Sequence, residues 1–233
     1  MISTLPTDAL VEIFRQTRAV LLDADGPVCR IFAGLPAPIV ADGLKQLFRE
    51  LGTELPPDVG SLDDPLKVLR RTVDFAPELV DKVEAAIIAY EIQAADSAEI
   101  TPGVGELLVA CAETGRPVVI VSNNSEPAIK KFLGRAGLAE EVAGVVGRPV
   151  GNPAEMKPHP RSVLRACELA DVQPDEAVLI GDSAFDMEAA VNAGARSIAY
   201  ADEEGKDVVL AQAGADAVIE RMAELTAVVA AAE

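Results

Sequence analysis

The sequence predicts an α/β protein: a doubly wound (Rossmann-like) parallel sheet core with a small all-helical insert. Three observations predict this. From Thr101 onward, short apolar runs alternate with helix-spaced segments, the pattern of a parallel sheet covered by helices. From Ala33 to about Ala98 no comparable apolar strand occurs, and the spacing is helical. The clearest apolar runs stop abruptly at polar residues, and in a parallel sheet the edge where strands end is where ligands bind.

The elements follow in order. Asp8 to Thr17 reads as a short helix with Thr7 as N-cap, and Ala19 to Asp23 as a buried strand. The insert shows three helical sets: Leu44, Leu47, Phe48 and Leu51; Leu66, Leu69 and Val73; and Leu79, Val83, Ile87 and Tyr90. Prolines at 36, 38, 56, 57, 65 and 77 punctuate them. Pro102 and Gly103 open a helix that Gly115 ends. Val118 to Val121 is a strand, Glu126 to Ala136 a helix closed by Gly137, and Val142 to Val146 a short strand. Arg161 to Ala170 is a helix and Ala177 to Ile180 a strand. Asp186 to Asn192 is a helix closed by Gly194, Ser197 to Tyr200 a strand, and the Ala-rich end from Glu220 to Ala232 a helix.

The bulk properties narrow the partners. The 233 residues suffice for one core plus a small inserted domain, and a net charge of −18 repels nucleic acid and anionic membranes. It equally repels a phosphorylated ligand, so any phosphate site needs local positive charge. Cys29, Cys111 and Cys167 are far apart and form no C-x-x-C, which points to reduced core cysteines. No basic leader precedes an apolar run, and no apolar stretch nears the roughly 20 residues of a membrane span. The expectation is a soluble, cytoplasmic protein; the sequence offers no reading of its oligomeric state.

Four segments carry chemistry: Leu21-Leu22-Asp23-Ala24-Asp25-Gly26, Ile120-Val121-Ser122-Asn123-Asn124, Lys157-Pro158, and Leu179-Ile180-Gly181-Asp182-Ser183-Ala184-Phe185-Asp186. Together they supply a carboxylate, a hydroxyl, a lysine and a second acidic group, a set suited to phosphoryl transfer through an aspartate. Asp23 and Asp25 point to the same side by period-two alternation, so one pKa rises unless a cation intervenes. Taken alone, Asp25-Gly26 is an ordinary turn pair, Ser122 a helix N-cap, Lys157 a surface charge, and Asp182 and Asp186 helix N-terminal acids. The acids of Gly181-Asp182-x-x-x-Asp186 are also hard oxygen ligands that suit Mg²⁺, with Asp23 and Asp182 as direct ligands and Asp186 outside them or bound through water. His159, the single histidine, belongs to the loop or pocket rim, since Asp25 already supplies an acid and base.

In this order the four motifs resemble the haloacid dehalogenase (HAD)-like hydrolase superfamily of aspartate-nucleophile phosphatases, from about Val20 to Tyr200. The likeness is to phosphoglycolate phosphatase-like members with a helical cap inserted after the first motif. The resemblance implies Asp23 as nucleophile, Asp25 as general acid and then base, Ser122 and Asn123 as phosphate ligands, and Lys157 as a stabiliser of phosphate and Asp23. It adds the Asp25 carbonyl to the Mg²⁺ ligands. It implies a core of residues 1–32 and 99–233 and a cap of 33–98, hinged near Ala33 and Ala98. The family commonly has threonine where this chain has Pro27, so any hydrogen bond from that position is lost.

The implied activity is Mg²⁺-dependent hydrolysis of small phosphate monoesters through an aspartyl-phosphate. A sugar phosphomutase on the same scaffold remains open. A dehalogenase does not need Asp25 or the metal set. A receiver-type signalling domain is about half this length, and a silent binding protein would not keep every catalytic residue type. Substrate selection falls to Arg30, Phe32, Lys45, Arg49, Arg70 and Arg71. Adjacent Arg70 and Arg71 cannot share a helix face, so at most one points inward; an inward arginine suits a carboxylate-bearing substrate such as phosphoglycolate.

Overall fold

The computed structural model describes residues 8–232. The chain opens with α1 (Asp8–Gln16), then β1 (Ala19–Leu22) and the two-residue β2 (Cys29–Arg30). Thr7, the expected cap of α1, lies outside the described residues. Four helices follow: α2 (Ala37–Glu50), α3 (Pro57–Gly60), α4 (Pro65–Phe75) and α5 (Val80–Ala94). Then come β3 (Glu99–Ile100), α6 (Val104–Glu113), β4 (Val118–Val121), α7 (Glu126–Ala136), β5 (Gly144–Val146) and α8 (Arg161–Ala170). The chain continues through β6 (Ala177–Gly181), α9 (Ala184–Ala193), β7 (Arg196–Tyr200), α10 (Lys206–Gln212), β8 (Ala217–Ile219) and α11 (Ala223–Ala231).

Six strands form one parallel sheet in the order β5-β4-β1-β6-β7-β8. From β1 the chain builds outward through β4 to β5, then returns to lay β6 on the other flank of β1. The strand order therefore reverses at β1, and a crevice opens beyond its carboxyl end. Alternation along the strands distributes side chains to two faces. Val20, Leu22, Ile120, Val178 and Ile180 join the cluster under α1, α6, α7 and α11, while Leu21, Val119, Val121 and Leu179 pack beneath α8 and α9.

The helical segment has an apolar cluster of its own, built on Leu44, Phe48, Val59, Val68, Leu69, Val83 and Ile87. The rings of Phe48 and Phe75 lie 5.2 Å apart. Asp64 caps α4 by accepting from the N–H groups of Leu66 (2.8 Å) and Lys67 (3.3 Å). The inward face of α4 is Pro65, Val68, Leu69 and Thr72, so Val73, expected inside, is exposed. Several short elements are absent from the sequence reading, α3 among them. β2 and β3 pair as a small antiparallel ribbon, and α10 and β8 extend the sheet by one strand. Runs of two or three residues carry too little periodicity to be read as strands. Helix α11 begins at Ala223 rather than Glu220, because Glu224 turns back to accept from the N–H groups of Glu220 and Arg221. Among the described residues no helix is long and apolar enough to cross a membrane. All three cysteines are free and buried.

Candidate active site

The crevice beyond β1 gathers the chemistry. Asp23 follows β1, Ser122 follows β4 and Asp182 follows β6, three adjacent strands of the sheet. The Asp23 N–H continues the ladder to the Ile180 carbonyl (2.9 Å), which fixes the carboxylate at the strand tip. Beyond it the chain folds back tightly. Gly26 N–H donates to the Cys29 carbonyl (2.7 Å), Ile31 N–H donates to Asp25 Oδ1 (3.0 Å), and Thr101 Oγ1 donates to the Gly26 carbonyl (2.5 Å). The loop thus closes without any hydrogen bond from the Pro27 nitrogen.

Gly26 is required here twice over. Its φ is +109°, and a Cβ at this position would sit 2.7 Å from Asp182 Cγ. Gly26→Ala is therefore expected to push Asp182 off its position. Divalent-cation affinity measured by calorimetry should fall together with activity, and unchanged affinity would show that the close approach is unimportant.

Lys157 is 2% exposed, and all three of its ammonium protons are used. Nζ donates to Asp23 Oδ1 (2.8 Å), to Asp186 Oδ1 and to the Val121 carbonyl (3.1 Å). Burial alone would lower its pKa, but the charges of Asp186 and Asp23 outweigh that and hold it above the usual lysine value. Lys157 is a permanent cation. Asp186 is fully buried; its other oxygen accepts from the N–H and hydroxyl of Ser183, closing a capping box on α9. Both oxygens of Asp186, expected outside the direct metal ligands or bound through water, hold Lys157 and the helix start.

The amide of Asn123, expected to donate to phosphate, is turned instead to Lys157. Oδ1 accepts from the Lys157 N–H (2.9 Å) and Nδ2 donates to its carbonyl (3.2 Å), fixing that loop against the end of β4. Asn123 still lines the crevice. Ser122 does not cap α7; its Oγ accepts from the Asn124 N–H (3.1 Å) and so shapes its own loop. His159 is exposed, and its Nδ1 accepts from the Arg161 N–H at the start of α8 (3.2 Å).

Electrostatically the site is short of positive charge. Four carboxylates, Asp23, Asp25, Asp182 and Asp186, face two ammonium groups, Lys157 and Lys206. Lys206 donates to Asp182 Oδ2 (2.8 Å) and Asp202 Oδ1 (2.9 Å). Burial, then the charges of Asp186 and Asp182, raise the Asp23 pKa well above the usual range despite Lys157. Burial raises Asp25 to about 6 and also lifts Asp182. One oxygen each from Asp23, Asp182 and Asp186 lies within 4.8 Å of the others. A cluster of oxygen donors with excess negative charge fits a hard divalent cation. Asp23 and Asp182 are the members with side-chain oxygens free to turn toward it.

The raised acids set a pH dependence. An acid whose folded pKa lies above its unfolded value favours the folded state below the unfolded pKa, and that contribution is lost as pH rises through the folded pKa. For Asp25 the window runs from its ordinary 3.8 to about 6. In EDTA, wild-type stability should therefore fall relative to Asp25→Asn across that window, by up to roughly 2–3 kcal/mol. Denaturant titrations at each pH check the slope.

The crevice holds a cavity of about 270 Å³. Asp23, Asp25, Ser122, Lys157 and Asp182 line it from the sheet, and Phe32, Asp64, Lys67 and Arg70 from the other side. A wider groove of about 630 Å³ lies beside β5 and contains none of these acids. Of the six nominated selectivity residues, only Phe32 and Arg70 reach the cavity. Arg70 is half-buried, donates to the Lys157 carbonyl and lies 5.3 Å above the Phe185 ring. Arg71, about 100° around the helix, turns outward to Asp58 and Asp74. Lys45 is buried against Asp42 and the Gly60 carbonyl, Arg49 bonds Gln46, and Arg30 reaches out toward Asp202. Lys67, Phe185 and Lys206 were missed. Only Phe185 carried a signal, lying inside the Gly181-to-Asp186 motif.

Comparison with known proteins agrees with this geometry. A family profile for hydrolases of the haloacid dehalogenase-like kind matches residues 17–194. The phosphoglycolate phosphatase of Nitrosospira multiformis is 29% identical over 223 residues, covering 90% of this chain and 94% of that one. A plasmid-borne phosphoglycolate phosphatase of Cupriavidus necator is 29% identical over 185 residues, 76% and 77% of the two chains. In fold, the structure resembles CbbY from Rhodobacter sphaeroides, solved in complex with phosphate, with TM-score 0.65, 21% identity, and 90% and 96% coverage. The crystal structure of a predicted phosphatase from Clostridium acetobutylicum gives a TM-score of 0.66 at 20% identity, with 90% and 96% coverage. With the matched span covering all four motifs, the chain belongs to the haloacid dehalogenase-like hydrolase family.

Proposed function

We propose that this hydrolase is a Mg²⁺-dependent phosphatase of small phosphate monoesters that forms an aspartyl-phosphate on Asp23. The observation that carries the proposal is the pairing of Asp23 with the permanently charged Lys157 at the strand-order reversal. A phosphoryl group placed beyond β1 meets the free face of the carboxylate, while Lys157 holds that carboxylate in place and offsets incoming negative charge. Ser122 Oγ and the Asn123 N–H would hold phosphate oxygens, since the N–H groups of Ser122, Asn124 and Ser125 are taken by Val146, Ser122 and Glu91. Asp25, its pKa raised by burial to about 6, carries a proton to the leaving oxygen and later takes one from the attacking water. Its Oδ1 is kept in place by the Ile31 N–H. Asp23, Asp182 and the Asp25 carbonyl would hold Mg²⁺, which supplies charge neutralisation and phosphate alignment. Asp186 keeps Lys157 charged and placed.

The proposed organisation is a core of residues 1–32 and 99–233 with a helical cap of 33–98. The cap lies over the crevice through α4, and its closure would exclude water from the covalent step. The names of the Nitrosospira and Cupriavidus relatives and the inward Arg70 both favour a small acid phosphate such as phosphoglycolate.

A panel of phosphorylated metabolites assayed for free phosphate under multiple turnover tests this. Phosphate release with Mg²⁺ and none in EDTA is expected, with phosphoglycolate among the best substrates. No release from any compound, or full activity in EDTA, rejects the reading; transfer between sugar positions without free phosphate identifies a mutase. Arg70→Ala should lower kcat/KM for phosphoglycolate by on the order of tenfold or more relative to p-nitrophenyl phosphate. An unchanged ratio of the two substrates would remove Arg70 from carboxylate recognition.

A further inference from the structure

Buried beside the crevice, but not among the residues that line its cavity, lies a charge cluster that the mechanism does not use. Glu84 and Glu91 project from α5, and Arg148 from the loop after β5; their side chains are all but inaccessible. Arg148 Nε donates to Glu84 Oε1 and Nη1 to Glu91 Oε1 (2.6 Å), while Nη1 also reaches the Asn123 carbonyl (3.2 Å). Glu91 goes further. Its Oε2 accepts from the Ser125 N–H (3.0 Å) and its Oε1 from Asn124 Nδ2 (3.2 Å). The loop after β4 is therefore gripped by one carboxylate. The two loops also run in direct contact. Arg148 N–H donates to the Asn124 carbonyl (3.0 Å), and a Cβ on Gly147 would lie 2.4 Å from the Glu126 nitrogen.

We propose that Glu91, held by Arg148, is a positioning residue that sets the conformation of loop 122–125 and with it the affinity of the site for phosphate. This rests on the reading of that loop as the phosphate holder. The chemistry explains why a charge is kept here. A carboxylate presents acceptors on both oxygens and can serve the Ser125 N–H, the Asn124 amide and the Arg148 guanidinium together. A glutamine of the same shape must turn its NH₂ toward at least one of these three donors. A buried donor facing a donor forces the loop or the arginine to move.

Glu84 supplies the control, because it touches the same buried cation and no group of loop 122–125. Two variants are compared, Glu91→Gln and Glu84→Gln. Each is measured for thermal stability, for inorganic phosphate binding by calorimetry with Mg²⁺, and for the kcat and KM of p-nitrophenyl phosphate. Glu91→Gln should weaken phosphate binding by about tenfold, the scale of one charge-assisted hydrogen bond lost or displaced, and raise KM with it. Glu84→Gln should lower stability and leave phosphate affinity as in wild type. Equal phosphate affinities in the two variants, whether both unchanged or both weakened, overturn the proposal. If Glu91→Gln does not accumulate folded, Arg148→Lys is read the same way, since it keeps the charge but cannot reach both glutamates as a fork.

Wild-type protein that binds no phosphate would reject the functional reading separately. The clamp is then judged by amide hydrogen exchange. Faster exchange at Asn124 and Ser125 in Glu91→Gln than in Glu84→Gln supports it, and equal exchange overturns it.

Discussion

Asp23→Asn is expected to abolish turnover, lowering kcat by on the order of 10⁴-fold or more while the protein stays folded. Asparagine matches the shape of aspartate and can still accept from Lys157 Nζ, but its amide is no nucleophile toward phosphorus. The fold should tolerate the change. Asp23 is a buried acid whose pKa is raised by burial and by the charges of Asp186 and Asp182 despite Lys157, so its ionised form is disfavoured without a divalent cation. Removing the charge relieves that repulsion, and the melting temperature in EDTA should be equal or higher. Mg²⁺ should stabilise the variant less than wild type, because one of the two side-chain ligands is weakened. Phosphate release, acid-stable phosphoprotein and thermal scans with and without Mg²⁺ read these outcomes. Full activity in Asp23→Asn would overturn the mechanism at its first step.

Lys157→Met should be the most damaging single change to both stability and activity. The substitution keeps most of the side-chain volume and removes the one cation shared by Asp23 and Asp186. Breaking a buried ion pair by deleting one partner costs about 3–5 kcal/mol, because the partner charge stays buried without compensation. Here two carboxylates are left, and Asp186 is fully buried. The deficit should shrink under acidic conditions, where Asp23, its pKa already raised by burial, takes up a proton. Urea denaturation at neutral and at mildly acidic pH measures this directly. A variant as stable as wild type at neutral pH would mean that the Lys157 pairs contribute nothing to the fold. Arginine should not rescue, since a planar fork cannot place three donors on Asp23, Asp186 and the Val121 carbonyl.

Much of this site was legible because it is built at strand ends. Apolar runs that stop at Asp23, Ser122 and Asp182 announce both the strand and the group at its tip, and a parallel sheet puts such tips on one edge. The helix closures at Gly137 and Gly194 were legible for a similar reason, since a left-handed C-terminal residue selects glycine. Side-chain direction was far less legible. Arg70 and Arg71 are equivalent by composition and propensity; which one enters the cavity depends on the rotation of α4, set by Val68, Leu69 and Thr72 packing inward. Asn123 looked like a phosphate donor because of its neighbours in sequence. Its actual partner, the Lys157 backbone, is 34 residues away.

The sequence by itself determined the α/β class, the order of the main elements, and the identity of the acids and hydroxyl at the strand ends and of the lysine between β5 and α8. These follow from periodicity and from residue type, which act over a few positions. Only the tertiary structure decided which charges meet. Lys206 reaches Asp182 and Asp202, Asp186 serves Lys157, and Arg148 joins Glu84 to Glu91 across 64 and 57 residues of chain. Ion pairing depends on distance and on exclusion of water. Both are set by how helices and loops dock on the sheet, and no local pattern in the chain encodes them.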